Sequence, residues 1–280
     1  MVAGKVLTGT GWRTTTGKCM ADTPFAKKSL GQHWLHDYDS LKAMCDAADV
    51  QPIDVVLEIG PGLGTLTELL VEQANRVVAV EFDERLAREL PDRVPATNLE
   101  VVSQDILSYD FTNLPADYKV VANIPYYLTS NLIRVISETP NQPTVAVILI
   151  QKEVAQRVAS TPGNMSILSV TAQYYWDVSL SIIVQSDLFT PPPKVDSQIL
   201  VLKRRAQPLF TDVDSNAFFK LVKAGFSQKR KTLLNSLSGG LQLDKPTVAK
   251  LCASASIDTS RRAQTLSLDE WHQLYKTINP

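Results

Sequence analysis

The sequence predicts an α/β fold, with a doubly wound, mainly parallel seven-stranded sheet followed by a small all-helical C-terminal domain. Three observations predict it. Between residues 37 and 205, short runs rich in Val and Ile alternate with segments of helical apolar spacing. A glycine-rich turn, GPGLG (60–64), directly follows the first of those runs. From Gln207 onward the strand-like runs cease and only helical periodicity remains.

The elements follow in order along the chain. Residues 1–24 are expected to form a flexible N-terminal tail, because the first 21 residues contain no acid and are interspersed with threonine and glycine. A transit peptide is the sharper reading, resting only on Lys5, Arg13 and Lys18, and Met20 is an alternative start. A first folded domain is expected over 25–206. Its buried strands read VVLEIG (55–60), RVVAVEF (76–82), LEVVSQD (99–105), YKVVANI (118–124) and TVAVILIQ (144–151). TLTELLVEQA, ERLARELPD, SNLIRVISE and KEVAQRVAS supply helices between or after them. VSLSIIVQ and SQILVLKR are expected to close the sheet as an antiparallel hairpin around the long loop SDLFTPPPK. A second domain, 207–280, is built from NAFFKLVKAGF, KRKTLLNSLS, TVAKLCAS and LDEWHQLYKTI, all with helical spacing.

Composition narrows the functional class. With 280 residues, 44% of them hydrophobic, the chain can bury one large core and a smaller one. It has neither an apolar run of about 18 residues nor the apolar block of a secretory signal, so a soluble cytoplasmic protein is expected. Cys19, Cys45 and Cys252 are far apart and read as ordinary reduced thiols. His33, His36 and His272 are equally scattered, and no metal site is expected. Residues 207–280 hold 10 Lys+Arg against 6 Asp+Glu (+4), which leaves 18 against 23 (−5) for residues 1–206. The C-terminal part is the basic one, as suits a nucleic-acid partner.

The glycine turn places backbone N–H groups at a helix N-terminus beside the crevice above the sheet. Its spacing is G-x-G-x-G at Gly60, Gly62 and Gly64, whereas a nicotinamide dinucleotide turn wants G-x-G-x-x-G. The shorter turn suits close approach of an adenosyl amino acid, with no pyrophosphate to cradle. Glu81 ends the second strand 21 residues after Gly60, where a carboxylate can accept from both hydroxyls of a ribose. Asp105 ends the third strand and can take the exocyclic amine of adenine, with Phe82 and Ile106 against the faces of the base. Capping of the next helix is the alternative role for either acid taken singly. Together with the turn they point to S-adenosyl-L-methionine. Upstream, Gln32, His33 and Leu35 could lie over the methionine end of that cofactor, the alternative being a surface loop anchored by Trp34.

The fourth strand ends in NIPYY (123–127), an unusual end for a buried strand because Pro125 donates no backbone hydrogen bond. Pro125 turns the chain, so the Asn123 side-chain oxygen and a carbonyl near Ile124 can face outward as two acceptors for an NH₂ group. Tyr126 then offers a face for a planar base taken out of its stack. An ordinary Asn-Pro turn with a core tyrosine is the alternative.

From Lys27 to the C-terminus the chain closely resembles the rRNA adenine dimethyltransferases of the KsgA family. The likeness runs through KKSLGQHWLHD, LEIGPGLGTLTELL, NIPYYLTSNLI, LIQKEVAQRVAS, LSVTAQYYW, FTPPPKVDS, FSQKRKTLLNSL and RRAQTLSLDEW. It implies a Rossmann-like, S-adenosylmethionine-dependent methyltransferase domain over 25–206 and a helical RNA-binding domain over 207–280. It further implies that Gln32, His33, Leu35, Gly60, Glu81, Asp105 and Asn123 contact the cofactor, that Asn123, Ile124, Pro125 and Tyr126 hold the target N6 amine, and that Phe189 stacks on the other face of the flipped adenine, a core residue at a loop root being the alternative for Phe189. The implied activity is dimethylation of two adjacent adenines near the 3′ end of small-subunit (16S) rRNA, on a partly assembled subunit, by a monomer.

His33 stands where the family often has Asn, Trp34 replaces the usual Phe, and Ile124 occupies a position often held by Leu. Related large-subunit (23S) rRNA methyltransferases of the macrolide-resistance type also favour NIPY, so they are the alternative for the target. A nicotinamide oxidoreductase fits the sheet but not the glycine spacing. A non-enzymatic RNA-binding assembly factor would keep the basic C-terminus without needing Glu81 or Asn123. Lys229, Arg230 and Lys231 follow the aromatic Phe226 and, with Lys203, Arg204, Arg205 and the pair Arg261–Arg262, are expected to line a basic track toward the pocket; solvated helix faces are the alternative.

Overall fold

The computed structural model describes residues 31–279; the expectations for the tail at 1–24 and for Lys27 to Leu30 lie outside the described residues. Five parallel strands and two antiparallel ones form a seven-stranded sheet of order β4-β3-β2-β5-β6-β9-β7. The parallel strands are β2 (Val55–Ile59), β3 (Arg76–Glu81), β4 (Leu99–Ser103), β5 (Lys119–Asn123) and β6 (Val145–Gln151). β7 (Trp176–Val184) and β9 (Ser197–Arg204) return antiparallel, as the closing hairpin expected from the sequence.

The inner strands are apolar nearly throughout because helices cover both faces, and alternate residues serve opposite cores. Val56, Val77, Val121 and Val147 face α1 (Tyr38–Ala47) and α2 (Thr65–Gln73) through Leu41, Met44, Leu66 and Leu70. Leu57, Val78, Val120 and Ile148 face the other side, where α4 (Thr129–Glu138) contributes Leu132, Ile133 and Ile136. The buried Trp176 closes that second core and donates its indole N–H to the Ser137 hydroxyl at 2.7 Å. α3 (Glu84–Arg93) packs Leu90 against Ala79 of β3. The β4–β5 connection has no α-helix; two short 3₁₀ turns, capped by Asp105 and Asp110, carry the chain across.

Two further helices flank the hairpin. α5 (Lys152–Val158) follows β6, and α6 (Ile167–Tyr175) begins with a reciprocal capping box between Ser166 and Ser169. α6 joins the two parts of the molecule. Met165, Val170 and Tyr174 share a core with α7 (Ser215–Phe226), α8 (Leu233–Leu241), α9 (Lys245–Ser254) and α10 (Leu268–Ile278), through side chains such as Phe218, Leu237, Val248 and Trp271. The helices expected from LDEWHQLYKTI and NAFFKLVKAGF form where the periodicity places them. α8 starts later than KRKTLLNSLS suggests, because the N–H groups of Leu233 and Leu234 are taken by the carbonyls of Arg261 and Thr259. Lys229 to Lys231 therefore occupy the turn before α8 instead of its first helical turn. Among the described residues no helix is long and apolar enough to cross a membrane, and no cluster of His, Cys, Asp or Glu could hold a metal ion.

Candidate active site

Parallel strands all end on one edge of the sheet, so the residues that terminate β2, β3, β4 and β5 meet there by topology alone. One pocket opens along that edge. Its wall includes Gly60, Gly62, Glu81, Phe82, Asp105 and Ile106 toward one end and Asn123, Ile124, Pro125, Tyr126 and Phe189 toward the other; Gln32, His33 and Leu35 also line it, with His33 beside Tyr126 and Leu35 beside Phe189.

The glycine turn is shaped by backbone that side chains avoid. Gly60 and Gly62 have φ of +69° and +57°, and a Cβ on Gly62 would lie 3.3 Å from the Trp34 indole. Trp34 and Leu35 form β1, a two-residue strand paired with β8 (Phe189–Thr190). That pairing brings the N-terminal segment and the Phe189 loop together over the glycine turn, and it makes Trp34 a wall residue of the pocket as well as a buried anchor.

Glu81 is almost fully buried. Its Oε2 accepts from the Gly62 N–H at 3.1 Å and its Oε1 from the Asp83 N–H at 2.9 Å, which ties the carboxylate to the turn. Burial raises its pKa above the ordinary value, and those backbone hydrogen bonds oppose the rise. Each oxygen retains acceptor capacity for a ribose hydroxyl. Asp105 caps the following 3₁₀ turn through the Leu107 N–H at 3.0 Å, and its other oxygen, Oδ2, accepts no hydrogen bond from the described residues. The exposed Phe82 and the buried Ile106 flank the space between the two acids. This acceptor set fits the ribose and adenine of S-adenosylmethionine.

Glu58 is a site residue that the sequence reading passed over. It lies in mid-β2, 1% exposed, on the pocket wall, and neither carboxyl oxygen has a hydrogen-bond partner. Burial pushes it up to about 8; the nearby Thr67 hydroxyl opposes the shift without reaching hydrogen-bond geometry, and the Glu81 charge adds to it. A carboxyl inside the run VVLEIG was itself the signal, since an unpaired acid in a central strand is costly and marks function. The two oxygens are themselves closed off from solvent, so Glu58 backs the pocket wall.

At the other end, β5 finishes at Asn123 and Pro125 precedes a 3₁₀ turn, Tyr126–Leu128, that leads into α4. The glycine turn and this strand end are neighbours, for a Cβ on Gly60 would lie 3.8 Å from the Asn123 carbonyl oxygen. Tyr126 is fixed on two sides. Its hydroxyl is 2.8 Å from the Ser197 hydroxyl, and its ring stacks on His33 with centroids 6.0 Å apart and planes 21° apart. His33 Nδ1 in turn lies 2.7 Å from the Pro191 carbonyl oxygen.

The expected basic track needs correction. β9 runs antiparallel, and its register pairs Lys203 with Val145, the first residue of β6, while Ser197 pairs with Gln151, the last. Lys203, Arg204 and Arg205 are thus at the sheet edge opposite the pocket. Arg204 is also engaged with the Gln142 carbonyl and Asp117, and Arg205 with Asp177 at 2.7 Å. Arg261 is held by Glu270 and the Thr265 carbonyl, a structural brace. Lys229, Arg230 and Lys231 are all exposed.

Comparison with known proteins agrees with this arrangement. The family model described as ribosomal RNA adenine dimethylase matches residues 25–279. The chain is 40% identical over 253 residues to ribosomal RNA small subunit methyltransferase A of Dehalococcoides mccartyi strain CBDB1, covering 89% of this chain and 87% of that one. It is 41% identical over 265 residues to the protein of the same name from Enterococcus faecalis, covering 90% of each. Among solved structures, a dimethyladenosine transferase from Plasmodium falciparum superposes with a TM-score of 0.74 at 28% identity, over 88% of this chain and 97% of that one. The 23S rRNA methyltransferase ErmE superposes with a TM-score of 0.69, also at 28% identity, over 88% of this chain and all of that one. With the glycine turn, the strand-end acids and the Asn-Ile-Pro-Tyr end meeting at one pocket, the chain belongs to the ribosomal RNA adenine dimethylase family and is an S-adenosylmethionine-dependent methyltransferase.

Proposed function

We propose that the protein transfers methyl groups from S-adenosylmethionine to N6 of two adjacent adenines near the 3′ end of small-subunit (16S) rRNA, giving N6,N6-dimethyladenine. The observation that carries this reading is the adjacency of the glycine turn and the Asn123–Tyr126 strand end across Gly60. A nucleoside-binding half and an amine-binding half share one pocket. The small-subunit target is supported by relatives of about 40% identity that carry that name. ErmE, a large-subunit methyltransferase, shares the fold but only 28% of the sequence. The enzyme works in this reading as a cytoplasmic monomer on an immature small subunit, with 207–280 as the helical RNA-binding domain.

The bound cofactor supplies an electrophilic methyl on a sulfonium. Glu81 would hold the ribose and Asp105 the adenine amine, with Gln32, His33, Leu35, Gly62 and Glu58 around the methionine end. Asn123 Oδ1 and the Ile124 carbonyl accept from the target N6 amine, which turns its lone pair toward the methyl and favours a tetrahedral nitrogen over one conjugated with the ring. Tyr126 and Phe189 hold the flipped base between them. The N6 amine would take the methyl in a direct displacement and release its proton to solvent. The product amine retains one N–H, so one of the two acceptors can still hold it for a second transfer.

The clamp is tested by Asn123→Ala. Single-turnover methylation at saturating cofactor should fall by orders of magnitude while cofactor and RNA affinities change little, because the contact matters most as the nitrogen becomes nucleophilic. An unchanged single-turnover rate would remove Asn123 from this role.

A further inference from the structure

Tyr127 is 65% exposed, yet it belongs to the pocket wall. Its neighbour Tyr126 is half-buried and hydrogen-bonded, whereas no hydrogen bond holds the Tyr127 hydroxyl among the described residues. The ring is backed by the chain at Gly31. Gly31, at φ +61°, turns so closely beneath it that a Cβ there would lie 3.6 Å from Tyr127 Cδ1 and 3.6 Å from Pro125 Cβ. An aromatic ring on the wall of a pocket, supported at Gly31 and 65% exposed, presents a large apolar surface to solvent. The 3₁₀ turn fixes it one residue beyond the ring that would take the flipped base.

Taking one base out of its stack bares a face of the next base in the strand, which loses its stacking partner. We propose that Tyr127 is a second nucleobase subsite, a platform that stacks the base adjoining the target adenine. The inference rests on the RNA reading above. The platform compensates the unstacked neighbour and holds it at the lip, from where it can follow into the pocket once the first adenine is finished. Stacking accepts any base, so the subsite sets register and affinity and leaves the choice of target to the Asn123 end.

The test uses the full chain and small subunits reconstituted with a 3′ rRNA fragment that is either intact or abasic at the adjoining nucleotide. Tyr127→Ala should raise the half-saturating concentration of intact subunits by about 5- to 150-fold, the range of one base–aromatic stack. Its cofactor affinity and its rate at saturating subunits should match the wild type. Tyr127→Phe should behave as wild type, since the ring and not the hydroxyl is required. The abasic substrate should weaken the wild type by a similar factor and weaken Tyr127→Ala no further. Independent, multiplying losses from the variant and the abasic site would overturn the subsite, as would wild-type binding by Tyr127→Ala. Failure of the wild type to methylate any adenine in intact subunits would instead overturn the functional reading, and the subsite with it.

Discussion

The Tyr126 hydroxyl lies 2.8 Å from the Ser197 hydroxyl, so the ring expected to carry the target base is tied to the first residue of β9. Ser197 is fully buried, and the His33 ring stacked on Tyr126 is itself held at the Pro191 carbonyl. The loop between β7 and β9 therefore sets the ring's orientation from both sides. Ser197→Ala and Tyr126→Phe each delete one hydroxyl of the pair and should each lower the rate at saturating substrate, by about fivefold for a hydrogen bond worth roughly 1 kcal/mol. The double variant should be no slower than the worse single one. Rates that multiply in the double variant would show that the two hydroxyls act separately.

Glu81→Ala should weaken S-adenosylmethionine binding by roughly 1–3 kcal/mol, because two ribose hydroxyls lose their acceptor in a buried site. The Gly62 N–H also loses its partner, so the glycine turn loosens with it. Isothermal calorimetry on both proteins gives the difference directly, and equal affinities would place the ribose elsewhere.

Glu58 gives the free protein a distinctive pH dependence. Its folded-state pKa of about 8 lies above the ordinary 4.5, so the folded protein holds a proton that the unfolded chain releases between those values. Stability from this group is fully present below the ordinary value and is lost as pH rises toward 8. Glu58→Gln keeps the shape without the titration. Without cofactor, the urea midpoint of wild type should fall relative to that of the variant between pH 5 and pH 8. Parallel midpoints across that range would mean that Glu58 ionises normally.

Lys229, Arg230 and Lys231 are exposed in the turn between α7 and α8. Replacing all three with Ala should weaken RNA binding and reduce the salt slope by about three counterions, with cofactor affinity intact. Lys203→Ala with Arg205→Ala should leave both unchanged, because those residues sit at the far edge of the sheet. An unaltered salt slope in the triple variant would move the RNA path away from this turn.

Much of the site was legible because consecutive parallel strands end on one edge. Gly60, Glu81, Asp105 and Asn123 could be placed together from strand order alone, without knowing any contact. The basic cluster at 203–205 failed on the same ground. β9 returns antiparallel, so Lys203 to Arg205, which follow the Phe189 loop in sequence, are carried to the opposite edge. β1 and β8 are two residues each and have no periodicity to read, so the pairing that sets Trp34 over the glycine turn emerges only in three dimensions. α6 is capped and apolar, but its role in joining two cores depends on contacts with helices more than 40 residues later, such as Tyr174 with Phe218. Glu58 was in view within VVLEIG, and only its burial without a partner distinguishes it from a strand residue turned to solvent.

Which ribosomal RNA carries the target adenines is decided by locating the methyl groups. Unmodified small and large ribosomal subunits are incubated separately with the enzyme and labelled S-adenosylmethionine, and the modified nucleotides are located by mass spectrometry. Two adjacent N6,N6-dimethyladenines near the 3′ end of small-subunit rRNA, with no label in the large subunit, are expected. Dimethyladenine confined to large-subunit rRNA would contradict the account and assign the protein to the resistance-type reaction.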